Sequence, residues 1–244
     1  MIHTPHNLQD IRVALTGGTS GLGLALMDEL LTRGARVAFV ARDQRRVAEV
    51  AAARPKVAGI VGDISNKDDI YPLAMQISGL LGGVDVLVNN ASALGPVPLA
   101  LLADTECEDF ETALATNLLG PFRLTRALLG SLTAAARERG GAVVLNVSSD
   151  AAIEPYPGWG AYGASKAGLR HLSRIWDREL ATQKVRVLSL DPGDMDTPLH
   201  ALAAPGDDPT TLKRPADAAR EFADAIEAAL HALRDPAHLE GVRA

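Results

Sequence analysis

A tyrosine and a lysine four residues apart are the reactive pair that the sequence places most suggestively. Tyr162 and Lys166 stand in "GAYGASKAG", residues 160–168, among small side chains. Residues four apart share one face of an α-helix, so the phenol and the ammonium can meet there. Such a pair could relay a proton, because a nearby charge changes how readily a phenol ionises. It could equally be an ordinary pair on a helix surface.

The strength of this effect can be bounded from Coulomb's law. A free phenol has a pKa of about 10 and is a poor proton relay at neutral pH. A unit charge about 4 Å away, at an effective dielectric constant of about 20, contributes about 4 kcal/mol. Since a pKa change of 1 corresponds to about 1.4 kcal/mol, we expect Lys166 to lower the pKa of Tyr162 by about 2 to 3. Tyr162 would then donate a proton in a reduction and accept one in an oxidation.

A glycine-rich turn near the N-terminus predicts a binding site for a phosphate group. The stretch "TGGTSGLG", residues 16–23, follows an apolar run and precedes an amphipathic helical pattern. Gly17, Gly21 and Gly23 lack side chains where a phosphate would approach the amides of a helix N-terminus. The spacing is G-x-x-x-G-x-G rather than G-x-G-x-x-G. In this position it predicts a dinucleotide cofactor, although glycines also cluster in turns that bind nothing.

The end of the second apolar run indicates which nicotinamide cofactor is preferred. An acidic residue there would bind the ribose hydroxyls and repel a 2′-phosphate. The chain instead has Ala41 followed by Arg42. A guanidinium matches phosphate oxygens in geometry and charge, so NADP(H) is favoured over NAD(H). The neighbouring Asp43 could weaken or orient that arginine.

Short apolar runs alternate with longer helical patterns through most of the chain. The predicted strands are 12–18, 36–42, 57–63, 84–91, 142–149 and 185–193, and the main predicted helices are 23–34, 109–136 and 161–182. This alternation predicts a three-layer, doubly wound α/β fold with a mostly parallel sheet of six to seven strands. The polar motifs follow the strands, and in such sheets ligands bind beyond the carboxyl ends of the strands. We therefore expect one shared site.

Composition limits the class of protein. The 244 residues, 47% of them hydrophobic, suffice for one domain over 1–244, with an N-terminal tail over 1–10 and a substrate loop over about 198–215. A net charge of −6 argues against a nucleic-acid partner. Neither a signal peptide nor an apolar run long enough to cross a membrane is visible. Cys107 has no second cysteine to pair with, which favours a cytoplasmic location. Only His3 and His6 are close histidines, so no metal site is expected.

Taken in order, the motifs resemble those of the short-chain dehydrogenase/reductase family. They are "TGGTSGLG", "NNA", "TN" at 116–117, "SS" at 148–149, "YGASK" and "DPG", within about residues 11 to 200. The resemblance implies a Rossmann fold and a catalytic quartet of Asn117, Ser149, Tyr162 and Lys166. Ser149 is preferred to Ser148 because it lies thirteen residues before Tyr162, the usual family separation. It further implies that Lys166 holds the nicotinamide ribose, that Asn117 anchors a water and that Ser149 binds the carbonyl oxygen.

The same resemblance implies a set of cofactor contacts along the strand ends. These are Gly17, Thr19, Ser20, Gly21, Leu22, Gly23, Ala41, Arg42, Asp63, Ile64, Asn90, Ala91, Tyr162, Lys166, Pro192, Gly193, Met195 and Thr197. Asp63 resembles the contact to the adenine amino group, but it could instead be a helix cap. Ser92 replaces the glycine that usually follows "NNA", which puts the local backbone conformation in question.

The predicted function is reversible hydride transfer between a nicotinamide and a small carbonyl or alcohol substrate. The sequence looks most like sepiapterin- and benzil-type carbonyl reductases, which hints at a compact ketone or diketone. Pro155, Tyr156 and Trp159 could form one substrate wall, opposite Leu94 and Pro96, with Leu199 and His200 as a lid. An alternative is a catalytically weak nucleotide-binding sensor or scaffold of the same fold. The helices at 109–136 and 161–182 carry surplus apolar residues, and the family resemblance implies that these helices pair in a homodimer or homotetramer.

Overall fold

The apolar runs form the strands of one open sheet in a computed structural model, which describes residues 7–235. Within these residues the sheet has six strands in the order β3-β2-β1-β4-β5-β6, and every neighbouring pair is parallel. The strands are β1 (Arg12–Thr16), β2 (Arg36–Ala41), β3 (Val57–Val61), β4 (Val86–Asn89), β5 (Ala142–Val147) and β6 (Val185–Leu190). The central strands are apolar on both faces, so helices must cover both sides of the sheet.

Helices pack against both faces and complete the predicted three layers. They are α1 (Gly21–Thr32), α2 (Gln44–Ala52), α3 (Ile70–Leu81), α4 (Cys107–Leu114), α5 (Gly120–Arg139), α6 (Gly160–Leu180), α7 (Pro198–Ala203) and α8 (Pro215–Arg234). Leu26 of α1 and Phe222 of α8 are buried in the core on one face. Ile77 of α3 and Leu128 of α5 are buried in the core on the other. The doubly wound α/β fold is confirmed.

The single helix predicted over 109–136 is wrong in one respect. The structure has α4, then a π-helical segment over Ala115–Leu119, and then α5. Pro121 explains the break, because a proline has no N–H to donate to the carbonyl four residues earlier, which is that of Asn117. A π-helical segment of this kind often marks a functional position, and here it contains Asn117.

Two predicted segments at the edges of the domain are more ordered than expected. Residues 1–6, with His3 and His6, lie outside the described residues. The rest of the predicted tail is not loose, because Leu8 is buried and its amide donates to the Arg33 carbonyl oxygen at 2.9 Å. The predicted substrate loop contains α7 and a short 3₁₀ turn over Pro209–Thr211 before α8 begins. A proline and a threonine cap start α7, which the loop-like composition of the segment obscured.

Within residues 7–235, no helix combines the length and the apolar character that a bilayer span requires. The same residues contain no group of three or more histidine, cysteine, aspartate or glutamate side chains placed to hold a metal ion together. The lone cysteine, Cys107, is exposed at the start of α4.

The chain reverses its direction of winding at β1. After β3 it crosses to β4, on the opposite side of β1 from β2. Loops that leave the carboxyl ends of β1 and β4 therefore diverge and open a crevice between them. The sequence motifs that end these strands all converge on this crevice.

Candidate active site

A cavity of about 730 Å³ lies along the carboxyl ends of the strands. It extends from the glycine turn and the end of β2 to the start of α6 and the segment that includes α7. Every predicted cofactor contact lies on its wall, as do Ser149, Tyr162 and Lys166 of the quartet. Asn117 does not, although its neighbour Thr116 does. The structure thus brings together residues that are as much as 180 positions apart in the sequence.

The glycine turn presents the N-terminus of α1 to the cavity. Gly17 and Gly21 have φ values of +74° and +52°, which only glycine adopts readily. Ser20 is the N-cap of α1 but its side chain makes no capping hydrogen bond. The amides of the first helical turn can therefore serve an anion, and the helix dipole favours one.

Two of the three glycines serve protein packing, which the sequence interpretation did not foresee. A Cβ on Gly23 would overlap the carbonyl oxygen of Gly17. A Cβ on Gly17 would lie 2.8 Å from the Asn90 amide nitrogen and 2.9 Å from the Ala91 Cα. Because both side chains are absent, α1, the turn and the end of β4 can pack closely together. This packing role is additional to any approach of a ligand to the turn.

Thr16 and Asn90 fasten this turn to β4. The Asn90 side chain donates to the carbonyl oxygens of Thr16 and Gly17 at 2.9 and 3.1 Å. The Thr16 hydroxyl accepts from the amides of Asn90 and Ala91 at 3.0 and 3.1 Å. Ser92, which stands where a glycine was expected, is not among the non-glycine residues of the described chain with a positive φ. The substitution therefore causes no strain there.

The end of β2 offers two arginines to the cavity. The Arg42 side chain is 71% exposed, and its guanidinium lies 4.0 Å from Asp63. Arg46, one helical turn further, also lines the cavity and was missed in the sequence, although its spacing from Arg42 was a usable signal. Asp43 accepts from the Arg46 amide as the N-cap of α2, so its carboxylate is engaged there.

Asp63 behaves more as a turn cap than as a free ligand. Its carboxylate accepts from the Ser65 amide at 2.9 Å and from the Ser65 hydroxyl at 2.7 Å. This is the alternative that the sequence left open. Asp63 and Ile64 nevertheless line the cavity beside Arg42, so a contact to a bound nucleotide remains compatible with the cap.

Tyr162 and Lys166 lie one helical turn apart at the buried start of α6. Tyr162 is 7% exposed and Lys166 is 2% exposed. The Lys166 ammonium lies 5.5 Å from the centre of the Tyr162 ring and donates to the Val147 carbonyl oxygen, at the end of β5, at 2.8 Å. The two side chains are therefore buried and face the cavity. They do not form an ordinary pair on an exposed helix surface, so that interpretation is wrong.

The expected change in the pKa of Tyr162 has the opposite sign. Burial raises this pKa to about 12, the neighbouring hydroxyls of Ser149 and Ser92 oppose the increase, and the charges of Asp191 and Asp150 add to it. Burial also lowers the pKa of Lys166 to about 8, against the charge of Asp191. Removal from water penalises the charged form of each group, and the sequence estimate omitted that cost.

Ser149 lies two residues after the end of β5, and its hydroxyl is already engaged. It donates to the Asp150 carboxylate at 3.0 Å and accepts from the Ala151 amide at 3.2 Å. Asp150 is a second residue that the sequence interpretation missed, although an acid directly after the candidate serine was visible. It also accepts a hydrogen bond from the Tyr156 hydroxyl at 2.8 Å.

The Asn117 side chain has no unused hydrogen-bonding capacity. Its oxygen accepts from the Ala93 amide at 2.8 Å and from the Ser92 hydroxyl at 3.1 Å. Its nitrogen donates to the Ala93 carbonyl oxygen at 2.7 Å and to the Ser165 hydroxyl at 2.8 Å. An amide has two donors and two acceptor positions, and all four are occupied. The side chain joins the loop after β4 to α6, so a water would have to bind another group of Asn117.

The segment after β6 closes the cavity on the side opposite the glycine turn. Thr197 caps α7 by accepting from the His200 amide at 3.2 Å. The Lys213 amide donates to the Asp194 carbonyl oxygen, and the Asp196 amide donates to the Lys213 carbonyl oxygen. These two hydrogen bonds pair Met195 with Lys213 in an isolated β-bridge. The predicted lid residues Leu199 and His200 line the cavity, as do Leu94, Tyr156 and Trp159 of the predicted walls, whereas Pro96 and Pro155 do not. The predicted substrate walls therefore meet around Tyr162.

Comparison with known proteins agrees with this arrangement. The chain matches the family model described as short chain dehydrogenase over residues 12–207. It is 33% identical over 231 residues to glucose 1-dehydrogenase of Gluconobacter oxydans (strain 621H). The matched region covers 88% of this chain and 83% of that protein.

Solved structures resemble it over nearly its whole length. A 3-ketoacyl-(acyl-carrier-protein) reductase from Brucella melitensis, complexed with NADH, is 27% identical with a TM-score of 0.83 and covers 95% of this chain and 93% of its own. A short chain dehydrogenase from Burkholderia cenocepacia J2315, in complex with NADP, is 25% identical with a TM-score of 0.78. The match covers 90% of this chain and 91% of the other.

Proposed function

Because the chain belongs to the short-chain dehydrogenase family and is an oxidoreductase, we propose that it transfers hydride between a nicotinamide cofactor, preferably NADP(H), and a small carbonyl or alcohol. One observation carries the proposal. Tyr162, Lys166 and Ser149 line the same cavity as the glycine turn, so a dinucleotide held at the turn can reach the pair.

The residues at the turn fit a dinucleotide. The uncapped first turn of α1 offers amides to a pyrophosphate. Structural relatives were solved with NADH and with NADP, and the choice between the two depends on the end of β2. Arg42 and Arg46 both line the cavity there, and no acidic side chain follows Ala41 directly. Two guanidiniums suit a 2′-phosphate, and a charge-assisted hydrogen bond contributes about 1.5–3 kcal/mol.

Tyr162 acts as the general acid when a carbonyl is reduced. Because its pKa is about 12, the phenol keeps its proton at neutral pH. When bound, the nicotinamide supplies the hydride in reduction and accepts it in oxidation. Tyr162 then donates its proton to the substrate oxygen, while the Ser149 hydroxyl turns towards the same oxygen.

Lys166 stabilises the phenolate that remains after the proton has left. At the 5.5 Å that separates its ammonium from the ring centre, a unit charge contributes about 3 kcal/mol at an effective dielectric constant of about 20. With a pKa of about 8, Lys166 is cationic at neutral pH. The lysine therefore offsets part of the cost that burial imposes on the phenolate, although it does not reverse it.

Asn117 contributes through its position in the π-helical segment. Its side chain is saturated, but Pro121 cannot donate to its main-chain carbonyl in the α-helical register. That carbonyl is the group of Asn117 that could anchor a water carrying protons to solvent. The saturated side chain meanwhile holds the loop after β4 against α6.

A ketone panel with both nicotinamides tests the proposal. We expect oxidation of NADPH with at least one ketone, a lower kcat/KM with NADH, and a loss of about 100- to 10,000-fold in kcat for Tyr162→Phe. The variant should still bind NADPH, measured by the fluorescence of the reduced cofactor, because the glycine turn and the arginines at the end of β2 are unchanged in it. Arg42→Ala should reduce the preference for NADPH about tenfold or more.

The opposite results would support the alternative function. Equal rates for wild type and Tyr162→Phe would remove the proposed acid. Tight binding of NADPH without turnover of any ketone would indicate a nucleotide-binding sensor or scaffold instead.

A further inference from the structure

The cavity wall beside Ser149 carries a carboxylate that proton transfer from Tyr162 does not require. Asp150 follows Ser149 in the chain and lines the cavity. One of its oxygens accepts from the Ser149 hydroxyl at 3.0 Å and from the Ala151 amide at 2.7 Å. The other accepts from the Tyr156 hydroxyl at 2.8 Å. Asp150 is therefore held in place on both oxygens.

Asp150 is ionised near neutral pH and acts only as an acceptor. Burial opposes its ionised form, but hydrogen bonds from Tyr156, Ser149, the Ala151 amide and its own backbone amide outweigh burial and lower the pKa of the carboxyl. An ionised carboxylate has about four acceptor positions. When the Ser149 hydroxyl turns towards the reacting oxygen, it vacates the position that it occupies on the Asp150 Oδ1, and a substrate hydroxyl can donate there instead.

The position of Asp150 relates it to a particular part of a substrate. The reacting oxygen must contact Ser149 and Tyr162, and Asp150 lies one hydrogen-bond length beyond Ser149. Two oxygens on adjacent carbons are separated by a similar distance. An oxygen on the carbon next to the reacting one therefore falls within reach of Asp150.

We propose that Asp150 determines substrate specificity by accepting a hydrogen bond from a hydroxyl on the carbon next to the reacting carbon. This inference rests on the proposed function. The substrate class is then α-hydroxy ketones in reduction and vicinal diols in oxidation. A diketone is disfavoured, because its second carbonyl would place an acceptor against a carboxylate that has no proton to give. The relative named glucose 1-dehydrogenase acts, by its name, on a polyhydroxylated sugar.

Two matched pairs of ketones test this specificity. Acetoin and diacetyl share one carbon skeleton, as do benzoin and benzil, and within each pair only the neighbouring oxygen changes from hydroxyl to carbonyl. The measured quantity is the ratio of kcat/KM for the hydroxy ketone to that for the diketone. A diketone is intrinsically the more reactive ketone, so the change of this ratio between wild type and variant is decisive.

Asp150→Asn is the main variant. Its amide can still accept from Ser149 or Tyr156, but it has lost the charge and gained two donors. We expect the ratio to fall about 10- to 100-fold, the usual effect of losing a hydrogen bond to a charged group. Any general effect on Ser149 cancels, because it reduces the rates of both ketones in a pair.

Two further variants keep the test independent of the local fold. Glu154→Gln removes an equal charge from the same loop at an exposed position, and the ratio should stay within twofold of wild type. Tyr156→Phe removes a donor but keeps the carboxylate, so the ratio should not fall. If Tyr156→Phe lowered the ratio as much as Asp150→Asn, the order of the loop would explain the effect and the proposal would be overturned.

Failure of the inference can be told from failure of the proposed function. Turnover that depends on Tyr162, with a ratio that Asp150→Asn leaves unchanged, overturns the inference alone. If the wider panel contains ketones that are reduced with dependence on Tyr162 but none of these four is reduced, the inference alone is overturned; if no ketone of the panel is reduced with either nicotinamide, both fail.

Discussion

Tyr162 and Lys166 are both buried, and each keeps its neutral form over a wider pH range than it would in water. The pKa of Tyr162 is about 12, above that of a free phenol, and the pKa of Lys166 is about 8, below that of a free amine. Desolvation acts on each side chain separately, whereas their mutual attraction acts only when both are charged. The pair is therefore prepared to donate a proton at neutral pH, and it accepts one more readily as the pH rises.

The buried amine makes the stability of the protein depend on pH. Between the folded pKa of about 8 and the ordinary value of 10.5, the unfolded chain binds more protons at Lys166 than the folded chain does. The free energy of unfolding therefore rises with pH in this interval. We expect this contribution to rise by about 2 kcal/mol from about pH 7.5 to 9.5, and to be absent in Lys166→Met.

Urea unfolding at several pH values measures the effect. Lys56→Met is the matched control, because Lys56 is exposed and its replacement should leave the wild-type pH dependence intact. Working below about pH 10 avoids the interval in which the raised pKa of Tyr162 acts with the opposite sign. Parallel pH profiles for wild type and Lys166→Met would contradict the assignment.

Among the elements, the turn between β1 and α1 depends on close backbone packing. Gly23 faces the carbonyl of Gly17 so closely that no side chain fits. By contrast, Gly79 lies in α3 with nothing within 4 Å of a Cβ at that position. An added methyl group would therefore clash at Gly23 and meet no neighbour at Gly79.

We expect Gly23→Ala and Gly79→Ala to change stability with opposite signs. The first should lower the free energy of unfolding by about 1–3 kcal/mol through overpacking. The second should raise it by about 0.5–1 kcal/mol, because alanine restricts the unfolded chain and favours a helix. Denaturant midpoints of both variants measure this. A Gly23→Ala variant as stable as wild type would show that the turn can relax away from α1.

At the scale of the whole molecule, the helices predicted to pair still expose apolar side chains. Leu119 and Ile175 are 40% and 41% exposed, and they lie beside Phe122 and Trp176, whose rings stack at 5.5 Å. We expect a homodimer or homotetramer at micromolar concentration, measured by sedimentation equilibrium. Ile175→Glu should weaken this association by placing a charge in the interface.

Met75→Glu is the control for that experiment. Met75 is 76% exposed on α3, the most exposed large apolar side chain of the described residues. If α5 and α6 form the interface, this substitution should leave the assembly unchanged. A monomeric wild type, or dissociation by Met75→Glu alone, would contradict the prediction.

The amino-acid sequence by itself determined the fold class, the order of the strands along the chain and most of the residues that line the cavity. Apolar runs, glycine spacing and the Tyr162–Lys166 interval are local patterns, and local backbone geometry gives them a direct structural meaning. The break at Asn117 was within reach of the same reasoning, since Pro121 was visible.

Only the tertiary structure decided what these residues contact and how they ionise. Burial set the pKa values of Tyr162 and Lys166, α1 packing explained Gly23, and four hydrogen bonds to two separate segments saturated Asn117. Arg46 and Asp150 gained a meaning only when the cavity brought them beside the site. Desolvation and hydrogen bonding depend on neighbours that are distant in sequence, and a one-dimensional pattern does not specify which atoms those neighbours present.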